Sequence, residues 1–241
     1  TDDVEESIAV NTLGTIIHDS LEKLYEPYLE RILTLEINHQ MQQRIDEIVL
    51  ERFKEVYKEG NITKGKNYIA FEVAKRNIYN FLNFEKSDIE KGEIIKVLQL
   101  EASLECSIRD KSLPYPIKIA GKVDRIEERN GVVRIIDYKT GKVEARHLKI
   151  SSFEGLTKEI KHDKVIQLLC YALMYQEEFG MPSDGIEAGI ISFKNLKSGF
   201  LPFKYDDKIR IDSQLLTNFT DELIFLVQEI LSESKDIIEI V

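Results

Sequence analysis

Asp124, Asp137 and Lys139 are the residues whose types and spacing could do chemistry in this 241-residue chain. Asn130-Gly131 separates two alternating runs, Ile117 to Glu127 and Val132 to Lys139. Asn-Gly is the strongest short signal for a two-residue hairpin loop, because both residues tolerate positive φ. If Arg129 opposes Val132, paired residue numbers sum to 261 and Asp124 falls across from Asp137. Opposed Cβ atoms lie about 4.5–5.5 Å apart, so two carboxylates there repel unless a cation lies between them. Side chains alternate along a strand, which puts Lys139 on the face of Asp137. Such oxygen donors suit Mg²⁺ or Mn²⁺ rather than zinc, and the adjacent amine could orient or deprotonate a water or stabilise developing negative charge. The same pattern also reads as an edge-strand pair of acids neutralised by Lys139, Lys122 and Arg125.

The elements that must position this pair are legible as periodicities. Apolar residues at 13, 16, 17, 21, 24, 25 and 28 predict a helix from Leu13 to Tyr28, with Asn11 or Thr12 as its N-cap. A charged helix is expected over Leu35 to Tyr57, ending at Gly60 as C-cap, and a third over Tyr68 to Phe84. From Leu98 to Ile108 the period changes to strict alternation, a strand with one wet face, which with the two runs above makes an antiparallel meander. A basic, poorly periodic stretch from Thr140 to Lys164 precedes a helix, Val165 to Phe179, a strand, Gly185 to Phe193, and a final helix, Asp212 to Leu231. The order implies a mixed sheet covered by helices.

Four segments carry a family resemblance: GTIIHDSLEKLY (Gly14 to Tyr25), IAGKVDRIE (Ile119 to Glu127), IIDYKTGK (Ile135 to Lys142) and QLLCYALMY (Gln167 to Tyr175). In order and approximate spacing they resemble the successive motifs of RecB-type nucleases, a branch of the PD-(D/E)XK superfamily. The resemblance implies an α/β, restriction-endonuclease-like mixed sheet flanked by helices, with residues 1–90 as a helical region carrying the histidine motif and 91–241 as the nuclease core. It also implies a metal-dependent DNA nuclease, an exonuclease of DNA repair or recombination working within a helicase-nuclease system. By motif position, His18, Asp124 and Asp137 match the metal ligands, Lys139 the catalytic lysine, and Gln167 and Tyr171 a pair associated with the active site and with DNA. Mg²⁺ is the implied cofactor, with Mn²⁺ able to substitute. The implied partners are single-stranded or free-ended DNA and helicase or recombination domains. The cysteine quartet that some relatives use for an iron-sulfur cluster is absent.

Helical spacing independently places Gln167 and Tyr171 on one face. His18 borders the apolar stripe of its helix, where a satisfied core histidine is the commoner outcome. Glu101, on the wet face of the first strand, reads either as a further carboxylate of the site or as a solvated acid. Glu22, one turn after His18, reads as its orienting partner or as a surface charge. Thr140 and Gly141 fit a chain turning close to phosphates, or a plain turn. The G-x-x-x-x-G-K of Gly60 to Lys66 is rejected as a phosphate loop, because Asn67 stands where Ser or Thr belongs and no strand precedes it.

Composition narrows the classes. With 33 Lys+Arg and 43 Asp+Glu the net charge is −10, against wholesale phosphate binding. Residues 1–60 hold 14 acids and 6 bases, a net of −8, whereas 139–164 hold 7 bases and 4 acids, a net of +3, so only the later stretch could face a polyanion. Its Lys142, Arg146 and Lys149, followed by Lys158, Lys161 and Lys164, are the expected backbone-tracking charges. Cys106 and Cys170 form no CxxC, so a thiolate metal site lacks ligands and a reducing compartment is expected. No apolar run reaches the roughly 18 residues of a membrane span, and the opening TDDVEES is acidic where a signal peptide is basic, which predicts a cytoplasmic protein without membrane partners. The start at Thr1 suggests one domain excised from a larger protein. The competing class is a non-catalytic module that binds nucleic acid or bridges subunits through its acidic helical third.

Overall fold

The computed structural model describes residues 2–56 and 65–232. Four helices come first: α1 (Asp2–Tyr25), α2 (Leu35–Gln43), α3 (Ile45–Val56) and α4 (Gly65–Glu90). A meander follows, β1 (Ile95–Ile108), β2 (Ile117–Arg129) and β3 (Val132–Lys139), and then a two-residue strand, β4 (Lys149–Ile150). The chain continues with α5 (Asp163–Phe179), β5 (Glu187–Ser192), β6 (Phe200–Pro202), β7 (Lys204–Tyr205) and α6 (Ser213–Leu231).

Helix boundaries differ from the periodicity in instructive ways. The first helix runs back to Asp2 instead of starting at Leu13, and it gives way at Glu26 to a 3-10 turn through Tyr28 that carries Pro27. The charged segment from Leu35 is two helices broken at Arg44, the first capped by the Thr34 hydroxyl, which accepts from the Ile37 amide at 3.2 Å. The third helix is longer than expected at both ends. Gly60 lies outside the described residues, whereas Gly65 and Lys66 simply open α4.

Asn130 (φ 53°) and Gly131 (φ 82°) both adopt positive φ, and the β2–β3 register runs from Arg129↔Val132 to Arg125↔Ile136, every pair summing to 261. The five-stranded sheet has the order β1-β2-β3-β5-β6, with β5 parallel to β3 and the other neighbours antiparallel. A parallel neighbour needs a crossover, and α5 lies within it. Helices cover both faces. On one, Ile17, Leu21, Phe81 and Phe193 pack with Val97, Ile136 and Tyr138. On the other, Leu168, Leu169 and Ala172 of α5 pack with Val123, Ile126 and Ile135, joined by Phe219 of α6. This is the restriction-endonuclease-like α/β architecture expected. Among the described residues no helix is long and apolar enough to cross a membrane.

Candidate active site

The hairpin ladder stops one step short of the two aspartates. Arg125↔Ile136 is its last pair, and beyond it Asp124 turns its carboxylate onto the backbone, where Oδ2 accepts from the Tyr138 amide at 2.6 Å. On its other side β2 pairs with β1, and the pairs Leu100↔Arg125 and Ala102↔Val123 bracket Glu101 and Asp124. Glu101 itself sits at φ 49°, in the left-handed region that a glutamate enters only at a cost. Both strands change the core they face here: Leu100 packs on the α1–α4 side, while Leu104 and Val123 pack under α5. The carboxylates therefore emerge where the β1–β2 ladder skips a pair and the β2–β3 ladder ends.

His18 of α1 approaches that break. Its Nδ1 stands 3.3 Å from Asp124 Oδ1 and 3.9 Å from Glu101 Oε1, and its ring lies edge-on to Tyr138 with centroids 5.7 Å apart. His18, Glu101 and Asp124 each offer a ligand atom within 4.8 Å of the others. Glu101 Oε2 also meets Lys122 Nζ at 2.7 Å. Asp137 lies beside this trio and is drawn to its neighbour two residues along the same face: Lys139 Nζ stands 2.6 Å from Asp137 Oδ2. That buried oxygen nonetheless lacks an aligned hydrogen bond. Lys139 donates to Gln167 Oε1 at 3.1 Å, and Gln167 Nε2 donates to the Tyr171 hydroxyl at 2.8 Å.

The electrostatics are those of like charges pressed together. Burial, reinforced by Asp124, raises Asp137 to about 6 despite the opposing pull of Lys139 and His18. Burial likewise raises Glu101, with Asp124 adding to it and Lys122 and His18 opposing. His18 is raised as well: burial alone would lower it, but Asp124, Glu101 and Asp137 together favour its charged form. An imidazole nitrogen and converging carboxylate oxygens fit a divalent cation with oxygen and nitrogen ligands.

Of the residues expected as ligands, the structure brings His18 and Asp124 together and leaves Asp137 beside them. The tight trio contains Glu101, the secondary candidate, and not Asp137, whose Oδ2 stands 2.6 Å from Lys139 Nζ. Alternation alone leaves Glu101 open between a further site carboxylate and a solvated acid; its cross-strand position beside Asp124 is the signal that favours the first. Arg125 does not neutralise the pair, since it is fully buried and its ion pairs are made with Glu85 and Glu127. Glu22 bears on Lys122, while His18 Nδ1 faces Asp124 and Glu101. Thr140 sits against α1, where a Cβ on Gly14 would lie 3.8 Å from its methyl group.

The expected basic track is locally compensated. Lys142 and Arg146 both pair with Glu144 at 2.8 Å, and Lys149 pairs with Asp207 at 3.0 Å. Lys158, Lys161 and Lys164 meet Glu229, Glu159 and Asp163 in turn. These are exposed pairs, worth little each and readily exchanged.

A family model described as the PD-(D/E)XK nuclease superfamily matches residues 2–236. No curated protein and no solved structure matches the chain.

Proposed function

The chain belongs to the PD-(D/E)XK nuclease superfamily, and from that premise we propose that it is a metal-dependent deoxyribonuclease, an exonuclease of RecB type that hydrolyses phosphodiester bonds beside helicase or recombination partners. The observation that carries the reading is the convergence of Asp124, Glu101 and His18 next to the Asp137–Lys139 pair at the break in the hairpin ladder. His18, Glu101, Asp124 and Asp137 would hold the divalent ion, with Mg²⁺ the first choice and Mn²⁺ a substitute. When bound there, such an ion would supply positive charge for the scissile phosphate and favour ionisation of the attacking water.

The remaining work falls to the chain. Asp124, fixed by the Tyr138 amide, keeps one oxygen toward His18 and the other on the backbone, so its position is set by the hairpin itself. The Lys139 ammonium, aimed by Gln167, orients the water for in-line attack and stabilises charge gathering on the phosphate. Tyr171 holds Gln167 in turn. Lys142, Arg146 and Lys149 leave their acidic partners for DNA phosphates.

Linear and circular single strands, duplex DNA and matched RNA, each incubated with Mg²⁺, Mn²⁺ or EDTA, test this. Linear DNA should be degraded from an end with either metal and not with EDTA. Lys139→Ala and Asp124→Ala should each lower the rate by about 10³-fold. Metal-independent binding without cutting, unchanged by either substitution, would replace the enzyme with a non-catalytic module.

A further inference from the structure

The β1–β2 ribbon continues well past the carboxylates. Beyond Arg125, β2 has no β3 partner, yet it stays paired with β1 out to Ile108↔Ile117. The apolar side of this extension, Leu104, Cys106 and Ile108, is buried in the core under α5. Its other side is exposed and low: Ser103 faces Lys122, Glu105 faces Ala120, and Ser107 faces Lys118. Ser103, Ser107 and Ala120 thus form a low track edged by two lysines, Lys118 paired to Glu105 and Lys122 paired to Glu101 of the site.

The charge of this ribbon runs against that of the molecule. Residues 103–122 carry four basic side chains and two acidic ones in a chain of net charge −10. One of the two acids, Glu105, is held by Lys118 at 2.7 Å. The other, Asp110, is turned into its own loop, accepting from the Ser112 amide and hydroxyl at 2.8 and 2.5 Å. Arg109 and Lys111 enter no salt bridge among the described residues.

The tip is built to be stiff. Tyr115 stands 58% exposed between Pro114 and Pro116, so its own φ/ψ range is narrowed by the following proline and the preceding one has a fixed φ. The Leu113 amide closes the turn on Asp110 O at 3.2 Å, and Leu113 is itself buried. An aromatic ring offered on such a turn loses little freedom when a base stacks on it, and such stacking is indifferent to sequence.

We infer that the exposed face of this ribbon, from Lys122 through Lys118 to Arg109, Lys111 and Tyr115, is a landing track for a single strand of DNA whose other end reaches the carboxylates. The inference rests on the nuclease reading and names how that site receives its substrate. Lysines and Arg109 follow the phosphates, and Tyr115 stacks on a base at the far end. Seven residues of strand separate Glu101 from Ile108, about 24 Å, which corresponds to roughly seven stacked nucleotides.

Fluorescence anisotropy in EDTA with labelled oligo(dT) of 4 and 20 nucleotides tests it on the intact chain. Tyr115→Ala should weaken the 20-mer about tenfold, with Tyr115→Trp restoring it. Arg109→Ser with Lys111→Ser should flatten the dependence of log affinity on log salt by about 0.7 for each charge removed. In the presence of metal, Tyr115→Ala should raise KM for the 20-mer and leave its kcat, and the cleavage of the 4-mer, unchanged. Affinities within twofold of the parent for both Tyr115→Ala and the doubly substituted Arg109→Ser with Lys111→Ser would overturn the track, as would an equal loss for the 4-mer or a larger loss for duplex than for single strand. A parent protein that binds the 20-mer through these residues but cuts nothing would instead overturn the nuclease reading alone.

Discussion

Consecutive residues of one hairpin build two opposite kinds of charge cluster. Arg125 and Tyr138 point into the core beneath α1–α4, where the guanidinium is fully buried and lies 2.6 Å from both Glu85 and Glu127. Tyr25 donates to the second oxygen of Glu85, and Arg129 links Glu127 to Asp88 at 3.0 and 2.8 Å. Burial would push Glu127 up, but Arg125, Arg129 and Arg134 together bring it below its ordinary value. One residue away, Asp124 and Asp137 sit with Glu101 in a group where burial and like charge win, and Asp137 rises to about 6. The first cluster is compensated from within the fold and ties α4 to β2. The second remains in conflict, which marks it as a place awaiting something from outside.

The largest effect that could break this contrast is expected on the compensated side. Arg125→Ala leaves Glu85 and Glu127 buried without their shared partner, and breaking a buried ion network in this way costs about 3–5 kcal/mol. For a chain of this size that lowers Tm by roughly 10 °C. Asp137→Asn on the conflicted side should do the reverse: in EDTA at neutral pH its Tm should equal or exceed the parent's. If both substitutions destabilise alike, the two clusters are not different in kind.

Next in size is the response to metal. A ligand present at about a hundred times its Kd stabilises the folded chain by about 2.7 kcal/mol. Mg²⁺ or Mn²⁺ should therefore raise the Tm of the parent by several degrees, and the rise should vanish in Asp124→Asn while persisting in Glu127→Gln. A smaller effect separates the clusters by pH. Because the Glu127 carboxyl is held below its ordinary value of 4.5, its contribution is complete above that value and is lost as pH falls through the lower folded one. Urea unfolding between pH 5 and 3 should show a steeper loss for the parent than for Glu127→Gln.

The parts of this arrangement that the sequence disclosed are those fixed by local rules. Asn130-Gly131 set the turn, the turn set the register, and the register set which residues of β2 and β3 face each other. Glu101 stood open between a site carboxylate and a solvated acid, because its place depends on the β1–β2 register and on a left-handed backbone that no period announces. Arg125 was misjudged because alternation gives a residue's side of the sheet, not whether acids from a distant helix, here Glu85 of α4, wait for it there. The split of α2 from α3 at Arg44 was lost in a continuous charged pattern, since no proline or glycine marks it. In the basic stretch Lys142, Arg146, Lys161 and Lys164 pair with acids of the stretch itself, whereas the partners of Lys149 and Lys158, Asp207 and Glu229, lie far along the chain and are invisible to a local charge sum.

The smallest effect expected concerns a residue that touches neither cluster's charges. Gly121 of β2 lies under α5, where an added Cβ would come within 3.2 Å of the Met174 methyl and 3.4 Å of the Tyr171 ring. The methionine end can swing aside, but the tyrosine is the anchor of the chain of hydrogen bonds through Gln167 to Lys139. Gly121→Ala should consequently shift Tyr171 by a few tenths of an ångström and pass that displacement to the ammonium. Alanine also narrows the freedom of the unfolded chain, which offsets part of any strain. The expected result is a Tm within about 2 °C of the parent and a cleavage rate about three- to tenfold lower, with metal-induced stabilisation retained. A loss of that stabilisation would mean that α5 shapes the carboxylates as well as the lysine, and an unchanged rate would mean that Lys139 holds its position without Gln167.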